Sequence, residues 1–435
     1  MSLLFYYLKL SLRSLKQTPL VSFLTIFIIG LGSSLVSVNL ALLETMYSDP
    51  IPEKSENLFH ISLNTWQDLT PHQEPFYILR YKDAMKILES DIPKYATIFY
   101  RSHVYVQAPK SQSDAMHSAD VRAFSGDFFN LTQAPFQWGS GWELDDNQQA
   151  LSHHEIVISH RLNQLLFDGE NSLGKTLTIQ NKSYSIVGVL KKWNIKPRFY
   201  HVTEGQTYFS TEDIFIPLET AIDNNWIVYA RMSASDHWTN MDDTRSRNVF
   251  YLQSWVQLNN PQQRQDFQLF LDNYSQSLKD SNEHPLAINN ELNDVKTWMQ
   301  INNVVDKNIE AFSVVTLLFL IVCLFNASSL LLAKHSKAQF ETGLRRALGV
   351  SRRQLYAENM IESVMIGFFS GLIALCFSVI FLYLIENFLP NIANIIEYEL
   401  FKLGIAFFIT LSCSLLIAIY PVYSTYRQSI ALQIK

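Results

Sequence analysis

Residues 169–176 run Gly169-Glu170-Asn171-Ser172-Leu173-Gly174-Lys175-Thr176 and satisfy the phosphate-binding pattern G-x-x-x-x-G-K-[ST] in full. Such a loop works when a strand leads into it and a helix leaves it, so that backbone N–H groups and the helix N-terminus converge on the phosphates. Here the order is reversed, with a helix-like stretch at 160–167 before it and a strand-like stretch at 177–179 after it. No run of four apolar residues ending in Asp-Glu supplies a magnesium-binding partner. The segment is read as a turn with glycines at tight backbone positions. His153, His154, Glu155 and His160 are metal-ligating types, but no cysteine and no i,i+4 histidine pair accompanies them, so a solvated loop is expected there. No Ser/His/Asp set and no carboxylate pair stands out, and the chain carries no enzyme signature of its own.

The elements around these residues are set by an uneven spread of apolar side chains. Of the 435 residues 48% are apolar, and four stretches, 20–43, 311–333, 364–385 and 403–423, contain no charge. Each meets the roughly 20-residue requirement for a helical membrane span. The first is longer than a signal-peptide core and lacks a small-x-small cleavage site, so it is read as an uncleaved helix. No acidic or basic residue sits centrally in any span, which argues against a proton relay or an ion-coupled transporter. Cys323, Cys376 and Cys413 all fall within the spans, leaving the long intervening segment without a disulfide framework.

Orientation follows from charge. Residues 334–358 hold six Lys/Arg (334, 337, 345, 346, 352, 353) against two acids (341, 358), and the first nineteen residues hold Lys9, Arg13 and Lys16 with no acid. Residues 47–305 carry 21 Lys/Arg against 31 Asp/Glu. The positive-inside rule therefore places both termini and the 334–359 connection in the cytoplasm and the long segment outside. Leu4, Leu8, Leu12 and Leu15 share one face of an amphipathic helix leading to Pro19. Gly30 and Ser34 leave little bulk on the first span, and Gly367 and Gly371 form a G-x-x-x-G in the third, so helix–helix contacts are expected there, within one chain or across a dimer.

Strand-like runs at 58–63 and 96–107, helix-like runs at 81–90 and 159–167, and a hairpin at 176–190 make the outer segment an α+β pattern. Residues 293–311, with Val295, Met299, Val305, Ile309 and Phe312 near helical spacing, are expected to continue the second span as a stalk.

Asn326, then Leu330-Leu331-Leu332-Ala333-Lys334, Glu341-Thr342-Gly343 and Arg345-Arg346-Ala347-Leu348-Gly349-Val350-Ser351-Arg352-Arg353 follow one another in an order that resembles the permease subunits of the MacB/FtsX-like family of ABC transporters. The resemblance continues in Gly126-Asp127-Phe128-Phe129, Ile156-Val157-Ile158-Ser159, the Gly169–Thr176 turn, Tyr184-Ser185-Ile186-Val187-Gly188-Val189 and Asp213-Ile214-Phe215-Ile216-Pro217-Leu218. It is thinnest at 191–205 and 224–248, and the Arg-rich turn usual before the Glu is replaced by Lys337-Ala338-Gln339-Phe340.

The expected architecture is a membrane protein with four transmembrane α-helices and a large α+β periplasmic domain inserted between helices 1 and 2. Its parts are an interfacial helix at 1–19, spans at 20–46, 306–333, 360–386 and 403–423, the periplasmic domain with its stalk at 47–305, a coupling loop at 334–359, a short periplasmic loop at 387–402 and a cytoplasmic tail at 424–435. The resemblance implies that Glu341, Gly343, Arg345, Arg346, Gly349, Arg352 and Arg353 couple the chain to a cytoplasmic ABC ATPase. It also implies a dimer with a second permease copy or paralogue in the bacterial inner membrane, a periplasmic adaptor and a TolC-like outer-membrane channel. Membrane lipids surround the spans and no nucleic-acid partner is expected. No cofactor is expected in this chain; Mg-ATP would bind the partner, since only nineteen residues precede the first span. The family also contains regulators of wall hydrolases and lipoprotein-releasing permeases, which remain alternatives to an exporter.

Overall fold

The computed structural model describes residues 3–65, 77–107, 116–145, 149–152, 154–202, 207–283, 288–305, 307–388 and 400–427. His153, most of the expected 387–402 loop and all but four residues of the expected tail lie outside these. The chain forms two compact units, one from Met1–Tyr47 with Val305–Lys435 and one from Ser48–Val304.

The first unit is helical. Helices α1 (Leu3–Gln17) and α2 (Pro19–Tyr47) meet at Pro19, whose missing N–H costs nothing at the start of a helix. α9 (Lys307–Lys337), α10 (Gln339–Ala347), α11 (Arg352–Phe388) and α12 (Leu400–Arg427) complete it. Helices α2, α9 and α11 are each long and apolar enough to cross a membrane. α12 carries a shorter apolar stretch, Phe407–Pro421, among the described residues. Small residues set the packing. A Cβ on Gly30 would stand 2.8 Å from Ile373 Cγ2 and 2.9 Å from the Ser370 carbonyl of α11, while one on Gly371 would stand 2.5 Å from Phe407 of α12. Ser34 is buried and donates to Leu31 O at 2.7 Å. Gly30, Gly367 and Gly371 thus each lie against another helix of the same chain, Gly367 facing Ser414 of α12, whereas the Ser34 hydrogen bond stays within α2.

The second unit is built on a largely antiparallel sheet in the order β12-β1-β11-β3-β4-β9-β6-β8-β5. Its strands are β1 (Leu58–Ser62), β2 (Leu79–Arg80), β3 (Tyr95–Gln107), β4 (Met116–Gly126), β5 (Phe136–Gly139), β6 (Glu155–Ile158), β7 (Thr176–Ile179), β8 (Lys182–Leu190), β9 (Ile214–Pro217), β10 (Ser233–Ala234), β11 (Val249–Gln257) and β12 (Glu291–Asp294). Among the described residues strands β3 and β4 form its longest pairing, from Thr97↔Gly126 to Gln107↔Met116, and only β4–β9 and β6–β8 pair in parallel. Helices α3 (Tyr81–Leu88), α4 (Phe128–Thr132), α5 (His160–Phe167), α6 (Leu218–Asp223), α7 (Pro261–Asp280) and α8 (Val295–Ile301) connect and cover it. Side-chain caps start three of them: Ser159 accepts from Leu162 N, Asn260 from Gln263 N and Asp294 from Thr297 N. Without a disulfide, the unit rests on one continuous apolar core that includes Ile98, Val121, Ile158, Ile186, Ile216 and Leu252.

The expected stalk is corrected. β12 runs to Asp294, α8 ends at Ile301 and Asn303 adopts φ 48°, so no continuous helix joins residues 293–311 to α9. Two adjacent asparagines end the helix there, one of them left-handed, a conformation asparagine tolerates. The 334–359 stretch is also not a loop: the end of α9, the whole of α10 and the first turns of α11 fill most of it.

Candidate functional site

Helix α10 is a short amphipathic helix whose ends are written in its sequence. At its C-terminus the Gly349 N–H reaches Arg346 O and the Val350 N–H reaches Arg345 O, both at 3.1 Å, with Gly349 at φ 98°. This paired closure needs a left-handed residue after the helix, which glycine supplies. Two residues later Ser351 and Gln354 cap α11 reciprocally: Gln354 N donates to Ser351 Oγ at 3.3 Å and Ser351 N to Gln354 Oε1 at 3.1 Å. α10 is therefore held between two helices by short connections.

The seven expected coupling residues do not share one face. Glu341, Gly349, Arg352 and Arg353 are exposed, whereas Gly343 and Arg346 are buried. Arg345 is partly covered and donates to Glu358 of α11 at 3.1 Å, spending charge inside the chain. Beside the exposed Glu341, α10 and its C-cap residue present an apolar row outward: Phe340 is 58% exposed, Leu344 48% and Leu348 78%. Spaced four apart, they make one stripe, the form in which a helix anchors in a groove. Charge counting missed it, although the i, i+4, i+8 spacing was in the sequence.

Sequence reasoning also missed a buried ion pair. Lys334 lies inside α9 and bonds Glu362 of α11, with side chains only 8% and 7% exposed, and its Nζ lies 3.5 Å from Ser22 Oγ of α2. Glu358 and Glu362 are four residues apart and so face the same way on α11.

In the sheet unit the Gly169–Thr176 turn lacks the strand-to-helix order of a phosphate-binding loop. It follows helix α5 and precedes strand β7, and its amides are already used: Gly174 N donates to Ile186 O at 2.9 Å and Lys175 N to Ser172 O at 3.0 Å. Lys175 lies 3.5 Å from Glu170 and over the Phe167 ring. Gly169 and Gly174 take φ 75° and 74°, as a tight turn requires. Among the described residues no three His, Cys, Asp or Glu side chains converge on a metal position.

A second buried network lies beside helix α4. Phe128 packs against Phe99, Phe124, Tyr200 and Phe215. Beside it Glu212 bonds both Arg122 and Arg198, all three fully buried. Burial pushes the Glu212 carboxyl up, but the two guanidinium groups outweigh it and hold it well below the usual carboxylate range. Arg198, Tyr200 and Glu212 lie in or next to the stretch where the family resemblance was thinnest. His60 stacks on Trp298 with ring centroids 3.6 Å apart, and burial lowers its pKa to about 3.

Two family models match this sequence. One, described as a MacB-like periplasmic core domain, covers residues 22–268; the other, an FtsX-like permease C-terminal domain, covers residues 311–430. Among solved structures the chain is similar to the periplasmic region of MacB from Actinobacillus actinomycetemcomitans, at 12% identity over 59% of this chain and 98% of that one, with TM-score 0.36. It is also similar to the extracellular domain of the ABC-type transporter YknZ from Gram-positive bacteria, at 12% identity over 54% of this chain and 99% of that one, with TM-score 0.34. No curated protein matches.

Proposed function

Given that the chain belongs to the MacB/FtsX-like family of ABC-transporter permeases, we propose that it is the membrane subunit of a MacB-type exporter. In this reading a separate cytoplasmic ATPase docks on α10, and ATP-driven motion passes along the spans to the periplasmic domain. That motion expels a peptide, toxin or antibiotic-like substrate that is already in the periplasm. The observation that carries the reading is the outward stripe Phe340, Leu344 and Leu348 on a capped helix between two apolar helices. A soluble partner with an apolar groove is the occupant that would cover such a stripe, and Mg-ATP would bind in that partner. The chain would work in the inner membrane as a homodimer or heterodimer, with four spans, cytoplasmic termini, an adaptor and an outer-membrane channel.

Topology gives the first test. A reporter fused after Lys435 is expected to be active only in the cytoplasm and one inserted near Asn147 only outside, both positions lying beyond the described residues. Cytoplasmic activity at Asn147 would overturn the arrangement.

A further inference from the structure

Burying two opposite charges costs desolvation that their attraction at best offsets, and apolar side chains of similar size are often as stable in such a place. The Lys334–Glu362 pair, buried between α9 and α11 and touching Ser22 of α2, therefore calls for a reason other than stability. Its surroundings supply one. One helical turn along the same face of α11, Glu358 accepts from Arg345 of α10. Two carboxylates about 6 Å apart along α11 thus receive one cation from α10 and one from the last turns of α9. The links that flank α10 run through Ala338 and through Leu348–Ser351, and a Cβ on Gly349 would meet nothing within 4 Å. The backbone links hold the two ends of α10, and the Arg345–Glu358 ion pair fixes its register on α11.

We propose that Lys334, Glu362, Arg345 and Glu358 form a two-rung strap that positions α10 on α11 and carries its displacement into the bundle. The Lys334–Glu362 rung is the buried anchor and the Arg345–Glu358 rung is the half-exposed one that can be remade. These are positioning residues, and the strap rests on the reading of α10 as the docking element. A bent or shifted α10 moves α11 through Glu358, and the anchor moves α9 and α2 with it.

The test uses the full chain in nanodiscs, with Cys323, Cys376 and Cys413 replaced by alanine and a spin label on Ala347→Cys. On the chain alone, Glu358→Gln and the apolar double variant Lys334→Met/Glu362→Met are each expected to raise label mobility severalfold. The charge-swapped Lys334→Glu/Glu362→Lys variant is expected to restore the native spectrum. With the ATPase bound, the apolar variant is expected to hydrolyse ATP yet lose most of the nucleotide-dependent change at a second label on Leu269 in α7. An apolar variant that matches the native chain in both readouts overturns the strap. If the native chain captures no ATPase, the docking reading fails and the chain-alone arm still decides the strap. If the apolar variant does not fold, the swap decides: native label behaviour supports the strap, and a folded swap without it overturns the strap.

Discussion

Leu344→Asp is expected to weaken capture of the ATPase roughly thirtyfold, about 2 kcal/mol, while the chain still inserts and folds. Leu344 is half exposed on α10 between Phe340 and Leu348, so the substitution removes nothing from the chain's own core. Fully burying a leucine or phenylalanine against a partner contributes about 1.5–3 kcal/mol, and a carboxylate in that groove adds an unpaired buried charge. Phe340→Asp should act alike, and the two effects should be less than additive because one groove takes both side chains. The measurement is co-purification in detergent, where lipid no longer competes for the stripe. Undiminished capture by both variants would place the docking surface elsewhere. Charge reversal at Arg345 is a poorer probe, since it would set a second carboxylate against Glu358.

The sheet unit is expected to lose stability in acid through His60. Its folded pKa of about 3 lies below the ordinary 6.5, so the unfolded chain binds the proton first. The stability linked to this ring is complete above 6.5 and falls as pH drops toward 3, by up to about 2–3 kcal/mol at about pH 4.5. His201 acts in the same direction, because burial and the Arg122 and Arg198 charges hold it neutral. Glu212, whose carboxyl is depressed, contributes its share above the ordinary 4.5 and loses it only in stronger acid. All eight tryptophans lie between residues 66 and 298, so their fluorescence in urea follows this unit within the intact chain. His60→Phe keeps an aromatic ring on Trp298 and should remove most of the His60 contribution while changing stability at pH 8 by less than about 1 kcal/mol. An unchanged acid slope in that variant would refute the assignment.

These outcomes separate what the sequence carries openly from what it hides. Uncharged runs long enough to span a membrane and the β7–β8 hairpin were legible because each depends on local pattern. So was the reversed helix–turn–strand order around Lys175. The capping box Ser351–Gln354 and the glycine closure at Gly349 were equally local, yet counting charge in a polar stretch concealed that α10 is a helix with an apolar face. The stalk failed for a different reason: apolar residues near helical spacing continued across Asn302 and Asn303, where the backbone does not. Lys334–Glu362 and Arg122–Glu212–Arg198 were out of reach because their members are 28, 90 and 14 residues apart and become partners only after the chain has folded.

In the proposed mechanism ATP hydrolysed on one side of the membrane moves the Ser48–Val304 unit on the other. Its most direct test is the spectrum of a spin label on Leu269, an exposed position of α7, in the native chain assembled with its ATPase in nanodiscs. Two spectra are expected, one with trapped ATP and one nucleotide-free, with the difference abolished by Leu344→Asp. A label that stays the same through the hydrolysis cycle, in a complex that is hydrolysing ATP, would contradict it.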